Sequence, residues 1–479
     1  MKKIMLLILI TLLCITSFAL VSCNGEDDTT TTIGDATTTE NSDNTSTLPP
    51  IKPVVKCKHV EEIVVGKAPT TTSTGLTDGK KCTLCGETLI FQSIIPATSV
   101  IDGFEYKLND DNASYSVIGI GNITDNRVVI PSAYNNFPVT RIEYEAFKNC
   151  ATITEVVIPN SITYIGKSAF ESCANLTSIN LPDGITKMGL SVFKGCSKLT
   201  EIDLPNSITR IESYTFSGCY DLVSVEIPEG VTFIGVCAFK NCESLISVEI
   251  PDSVTQILLN SFENCKSLKS AKLSRNITVM SKHLFSGCES LESIEIPESV
   301  TEMEVCVFEG CKSLTELRIP ATLTNIHCSY GTFAGCNIKE YIVASDNPNY
   351  KSIDGILFNK SGDTLLRYPS AKADKIYTVS DDVVCIYNGA FGDCDNLEEV
   401  ILPVTVTKIG ERAFSCCDNL KRMKILLEVK EISYRAFSEC PSLYVKCEAV
   451  LKPTNWNSFW VDKSTPVTWA CLVHGWGND

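Results

Sequence analysis

Between residues 140 and 445 the apolar positions return with a single period. Phe stands at 147, 170, 193, 216, 239, 262, 285 and 308, each 23 residues after the one before, and Cys follows each Phe three positions later. The pair continues at Phe333/Cys336, Phe391/Cys394, Phe414/Cys417 and Phe437/Cys440, which makes twelve copies. A fixed period of this length predicts a solenoid, in which each copy is one structural unit and buries its apolar side only against its neighbours.

The polar and apolar order within one copy predicts its elements. In the stretch from Cys173 to Phe193, Leu176, Ile179 and Leu181 are apolar, while Ser178 and Asn180 alternate with them, as in a short strand with one buried face. Pro182-Asp183-Gly184 then stops the strand, because proline cannot donate to a ladder and presets a turn. The same signal returns at Pro159, Pro205, Pro228, Pro251 and Pro297, whereas Ser274 takes its place in one copy. A second extended piece of the form Ile/Val-Thr-x-Ile/Met follows, and then a short bend carries the Phe. The expected fold is therefore a mostly β solenoid of short parallel strands with brief helical turns, capped at both ends.

These residues resemble the leucine-rich repeats of the 23-residue Treponema-type class found in BspA-like bacterial surface proteins. That pattern, Cys-x-x-Leu-x-x-Ile-x-Leu/Ile-Pro-x-x-Val-Thr-x-Ile-x-x-x-Ala-Phe, is followed almost position by position at 150 to 320 and 394 to 414. The resemblance implies a surface protein that binds other macromolecules: host matrix, other cells or glycans. An array that only spaces the envelope, or a glycan-binding accessory protein, is the alternative. The motif specifies the fold and says little about the partner.

Fifty-eight residues, rather than 23, separate Phe333 from Phe391. The extra segment, about 345–375, alternates apolar and polar residues around Asn359-Lys-Ser-Gly362-Asp and reads as a β-hairpin projecting from the stack. As a decorated repeat it merely widens the sheet; as a ligand-contacting loop it offers Tyr350 and Tyr368. Residues 100–140, with Tyr115 to Gly121 and Arg127 to Pro131, read as the opening cap of the repeats at 141–445. Residues 446–479 hold all four Trp and read as an aromatic cap, with Trp456 and Trp460 as weaker candidates for sugar stacking.

The N-terminus changes the picture of where this solenoid works. Lys2-Lys3 precede an apolar run from Ile4 to Leu20, the charged start and short hydrophobic core of a secretion signal spanning 1–22. Leu20-Val21-Ser22-Cys23 is similar to a bacterial lipobox, which implies cleavage before Cys23 and a diacylglycerol on its sulfur. Residues 23–56 contain Thr, Asp, Glu, Asn, Ser and Pro with almost nothing apolar, so a disordered stalk with a span of roughly 30 Å is expected there. The expected location is the bacterial cell surface, anchored by lipid and facing outward.

Within residues 57–98, Cys57-Lys-His59 and Cys82-Thr-Leu-Cys85-Gly86 offer four ligands with the spacing of a structural zinc site. An exported chain also forms disulfides, and that alternative stays open at these residues. Twenty-four Cys in such a chain ordinarily indicate a disulfide scaffold, but twelve of them occupy one column of the repeat. There Cys serves as a small buried hydrophobe whose S–H meets a neighbouring carbonyl.

A net charge of −16 without a basic stripe argues against nucleic acid. The four His lie in unrelated contexts and no nucleophile elbow, phosphate loop or paired-acid motif appears, so an enzyme is not expected. Binding is instead expected on the strand residues facing away from the core: Glu201, Asp203, Glu226, Glu249 and Glu295. A row of acids at about 4.8 Å spacing suits a basic partner.

Overall fold

A computed structural model describes residues 61–64, 75–76, 79–82, 88–90, 94–95, 103–328 and 330–470. The chain divides into two compact units. In the first, Glu61–Val64 pairs antiparallel with Gly79–Cys82, which pairs in turn with Thr88–Ile90. The signal, the stalk, Cys23, Cys57, His59 and Cys85 lie outside the described residues, as does the side chain of Cys82.

The second unit contains the repeats, which form a β-solenoid with three hydrogen-bonded ladders along its length. One ladder takes the strand before the proline: Glu201–Asp203 lies parallel to Ser224–Glu226, and Ser247–Glu249 to Ser270–Lys272, with Cα partners one period apart. Its inward residues, such as Ile202, Val225 and Val248, are buried, and the residues on either side of them are exposed. The second ladder takes the strand after the turn, as in Arg210–Ile211, Phe233–Ile234 and Gln256–Ile257. The Thr column flanks it: Thr232 Oγ1 reaches Thr209 O at 3.2 Å and Thr301 Oγ1 reaches Thr278 O at 3.3 Å, so these hydroxyls tie successive turns together.

The third ladder runs along the Phe edge, where brief helical turns were expected. Among the described residues the only helix is the three-residue 3₁₀ turn Tyr330–Thr332. The reason lies in two left-handed residues per copy, two positions before and two after the Phe, in every copy but that of Phe333, where only Gly335 is left-handed. Ser168 and Ser172 have φ of 56° and 62°, and Tyr214 and Gly218 have 63° and 78°. Left-handed residues break a helix, and here they turn alternate N–H groups toward the next copy. Ser168, Phe170 and Ser172 donate to Leu190, Val192 and Lys194 at 2.8, 3.0 and 2.7 Å. The residues between them, Ala169, Glu171 and Cys173, donate back three positions within their own copy. Every N–H from 168 to 173 is thereby paired, which offsets the cost of non-glycine residues at positive φ.

Inside, the Phe rings stack. From Phe147 to Phe308 successive centroids lie 5.1 to 6.2 Å apart with interplanar angles of 4° to 15°. Beside them runs a thiol ladder in which each Cys Sγ points at the Phe carbonyl of the preceding copy: Cys196 at Phe170 O, Cys219 at Phe193 O and Cys242 at Phe216 O, all at 3.2 Å. Burial pushes these thiols up, Cys173 to about 12 and Cys242 well above its ordinary value. They are free, protonated and inert toward oxidants that need a thiolate.

The 345–375 segment does not project. Tyr350–Ile353, Ile356–Asn359 and Thr364–Arg367 pair antiparallel in sequence, and the last of them continues parallel to Cys385–Ile386. Its apolar residues pack on both faces, because the core has one cluster reaching from Val117 to Leu366 and a second from Ile356 to Trp460. Leu357 and Leu366 belong to the first, while Ile356, Phe358, Leu365 and Tyr368 belong to the second. The segment is a splice between two runs of repeats.

Candidate functional site

The outward row on the first strand ladder is placed as its alternation requires. Glu201, Asp203, Glu226, Glu249 and Glu295 are all exposed. Asp203 and Glu226 are direct Cα partners, and Ser224 and Ser247 alongside leave them accessible. The row is bounded by cations: Glu249 faces Lys272, with Nζ 3.8 Å from the carboxylate, and Arg318 folds back onto Glu316 at 2.7 Å. At the other end Asn180 turns its amide inward, accepting from Ile158 N at 2.7 Å and donating to Ile158 O at 2.9 Å. Asn180 therefore extends the backbone ladder rather than the acidic row.

The aromatic candidates are spent on packing. Tyr368 is fully buried, its hydroxyl donating to Asp374 at 2.7 Å, and Tyr350 is half-buried, its hydroxyl accepting from Ile326 N at 2.8 Å. Trp456 and Trp460 are 3% exposed, and Trp460 stands edge-on to Phe437 at 5.7 Å. Trp456 Nε1 donates to Val429 O at 3.2 Å, capping a carbonyl that has no further turn to meet. Neither ring leaves a face for a sugar. His327 and Cys328, just past the strand Asn325–Ile326, diverge: the imidazole lies 2.8 Å from Glu302 and Cys328 is buried.

Sequence reasoning missed the surface beside the Phe edge. There Tyr144, Glu145, Lys148, Lys167, Ser168, Glu171, Ser191, Lys194 and Tyr214 line an open groove of about 330 Å³. Its floor is Ser168 and Ser191, the two small residues in a column that begins with Glu145 and reaches Tyr214. Lys194 bridges to Glu171 at 3.0 Å, Lys148 joins Glu145 and Glu171, and Lys167 lies 5.9 Å from the ring of Tyr144. The available signal was positional: the residue two before each Phe varies widely in type, whereas the one directly before it is small or aliphatic throughout, as expected of an outward-facing side chain next to an inward-facing one.

The family described as the BspA type leucine rich repeat region matches residues 129–246, 233–363 and 371–459. No curated protein matches the chain. Among solved structures, the chain is similar to a leucine-rich repeat protein from Bacteroides ovatus, at 25% identity over 78% of this chain and 99% of that one, with a TM-score of 0.51. It is also similar to a leucine rich cell surface protein from Faecalibacterium prausnitzii, at 25% identity over 77% and 93% with a TM-score of 0.43. A leucine rich repeat protein of T. pallidum is 28% identical over 45% and 89%, with a TM-score of 0.34.

Proposed function

Because the chain belongs to the BspA-type leucine-rich repeat family, we propose that it is a surface-displayed lipoprotein whose solenoid binds other macromolecules, with an extracellular protein or glycan as partner. The observation that carries this reading is the exposed acidic row on a rigid sheet, Glu201 to Glu249, presented on strands whose opposite face is fully packed. Such a row engages a basic partner through charge, which acts mainly on the association rate.

The test is direct binding of the purified protein to arrays of matrix proteins and glycans. Saturable binding at micromolar concentration or below is expected, and its absence would favour an envelope spacer. One observation does favour that second reading. Many surface charges already pair across neighbouring turns, as in Lys198 with Asp221 at 2.8 Å and Lys266 with Glu243 at 3.0 Å, and so serve the array itself. Being exposed, each such pair contributes about 0–1 kcal/mol.

Replacing Asp203, Glu226 and Glu249 by Ser should change stability by no more than about 0.5 kcal/mol per site, as usual for exposed positions. The association rate with a basic partner should fall severalfold. In the parent that rate should also fall as salt shortens the screening length from about 10 Å at 0.1 M to about 3 Å at 1 M. An unchanged rate in the triple variant, with no salt dependence in the parent, would remove the acidic row from the interface.

The anchor we assign to Cys23. Cys23→Ala should release the protein from membranes or leave it unprocessed, whereas an unchanged mature mass and unchanged detergent partitioning would exclude lipidation. For Cys57, His59, Cys82 and Cys85 we propose one structural zinc. Elemental analysis of reduced protein should lose about one equivalent in Cys82→Ser, and no loss would point to disulfides.

A further inference from the structure

His283 and Cys306 hold the same place in successive turns, two residues before Phe285 and Phe308, and Glu309 directly follows Phe308. Both backbones are left-handed, with φ of 53° and 60°, and all three side chains are half-buried on the Phe edge. The imidazole nitrogen, the sulfur and a carboxylate oxygen lie within 4.8 Å of one another, with His283 Nδ1 3.4 Å from Glu309 Oε2. Bonds of 2.0–2.3 Å from a tetrahedral centre place its ligands about 3.5 Å apart. The His–Glu separation already matches that edge, and the sulfur needs only a small closing movement.

We propose that His283, Cys306 and Glu309 form a binding site for a borderline-soft divalent cation of the Zn²⁺ type. A nitrogen, a thiolate and a carboxylate together are the donors such cations select, whereas Ca²⁺ and Mg²⁺ take oxygen alone. Three protein ligands leave the fourth position to water. Space beside the sulfur is kept by Gly331, which holds the same place in the next turn: a Cβ there would stand 2.6 Å from Cys306 Sγ. Among the described residues no other group of three or more His, Cys, Asp and Glu side chains brings its donor atoms this close together.

The competing explanation is a plain hydrogen-bonded cluster, with Glu309 accepting from the imidazole and the thiol. The two differ in what zinc does. The cation takes sulfur as thiolate, so binding releases a proton and strengthens with pH. It also clips the turn of Phe285 to the turn of Phe308, so it should raise the melting temperature.

The test uses the full chain, reduced, in which Cys57, Cys82 and Cys85 are replaced by Ser so that the N-terminal thiols contribute nothing. Titration with Zn²⁺ should show one equivalent bound at micromolar affinity or tighter, and Co²⁺ should give the charge-transfer absorption of a single thiolate. Cys306→Ser should remove that absorption and weaken zinc at least tenfold, and His283→Asn should weaken it by a similar factor. Glu309→Gln, which preserves shape, should weaken zinc and abolish its effect on melting while leaving the zinc-free melting temperature unchanged. No saturable uptake by the parent, or undiminished affinity in both Cys306→Ser and Glu309→Gln, would overturn the site.

Discussion

Replacing Phe239 by Ala is expected to cost about 3–5 kcal/mol, the range for deleting a large aromatic from a packed core. Phe239 is fully buried and stacks on Phe216 at 5.3 Å and on Phe262 at 5.2 Å, so the truncation opens a hole touching two other copies. A solenoid offers little help in closing it. Each turn is fixed by ladders on three sides, and stability is close to a sum of copies and their nearest-neighbour interfaces. The loss should therefore be local as well as large. Urea unfolding followed by circular dichroism should move to a lower midpoint, and hydrogen exchange should accelerate first at the amides of 216–262. Phe239→Leu, which fills most of the volume, should lose less. A shift worth under about 1 kcal/mol, or exchange that rises evenly along the array, would show that the stacked column is not what holds neighbouring copies together.

Much of this was legible in the residues. Phe147 to Phe437 announce the column of stacked rings, and the Cys three positions later announces a thiol that is small enough to sit beside them. The alternation Glu201-Ile202-Asp203 gives the inward and outward faces of a strand without further information. What was not legible is conformational. Nothing in Ser168 or Tyr214 advertises positive φ, because these residue types adopt it only when the fold over-determines it. Here the pairing of alternate N–H groups with the next copy does so, and one copy read alone suggests a helical bend. The groove over Ser168 and Ser191 and the grouping of His283 with Cys306 follow from that same column, in which residues 23 apart become side-by-side neighbours. The splice was misjudged for a related reason. Alternation in 350–368 reads as a strand with one wet face, but Leu357 and Phe358 are both buried, because this hairpin lies between two cores.

At that splice we expect Arg367→Met to produce the second large effect. The stacked column is interrupted between Phe308 and Phe391; Phe333 instead meets Tyr341 edge-on at 5.4 Å, and Tyr368 begins the next stack on Phe391 at 5.2 Å. The thiol ladder is interrupted too. Phe308 O accepts from Cys336 Sγ at 2.9 Å, but Phe333 O accepts from Arg367 Nη2 at 3.3 Å. The same guanidinium donates to Gly389 O and, at 3.1 Å, to Gly392 O, on either side of Phe391, and lies 3.7 Å from the Asp393 carboxylate. Asp393 in turn accepts from Gly335 N at 3.1 Å, the place a backbone carbonyl takes in an ordinary turn. Arg367, only 2% exposed, thus replaces with one side chain the bonds that a missing repeat would have made. Methionine keeps much of the apolar stem and removes every donor, so Phe333 O and Gly389 O keep only the bonds within their own turns, from Cys336 N at 3.3 Å and Gly392 N at 3.0 Å, Gly392 O keeps only the Cys394 thiol at 3.7 Å, and Asp393 loses its cation. Breaking a buried charged network in this way costs about 3–5 kcal/mol. Because the two core clusters meet here, the loss should appear as a splitting of unfolding into two transitions, one for the copies before Phe333 and one for those after Phe391. Arg367→Lys retains the charge but not the fork that reaches both sides, so it should give an intermediate loss. A single transition at an unchanged midpoint in Arg367→Met would mean that the apolar packing of Leu357, Phe358 and Leu365 alone couples the two runs.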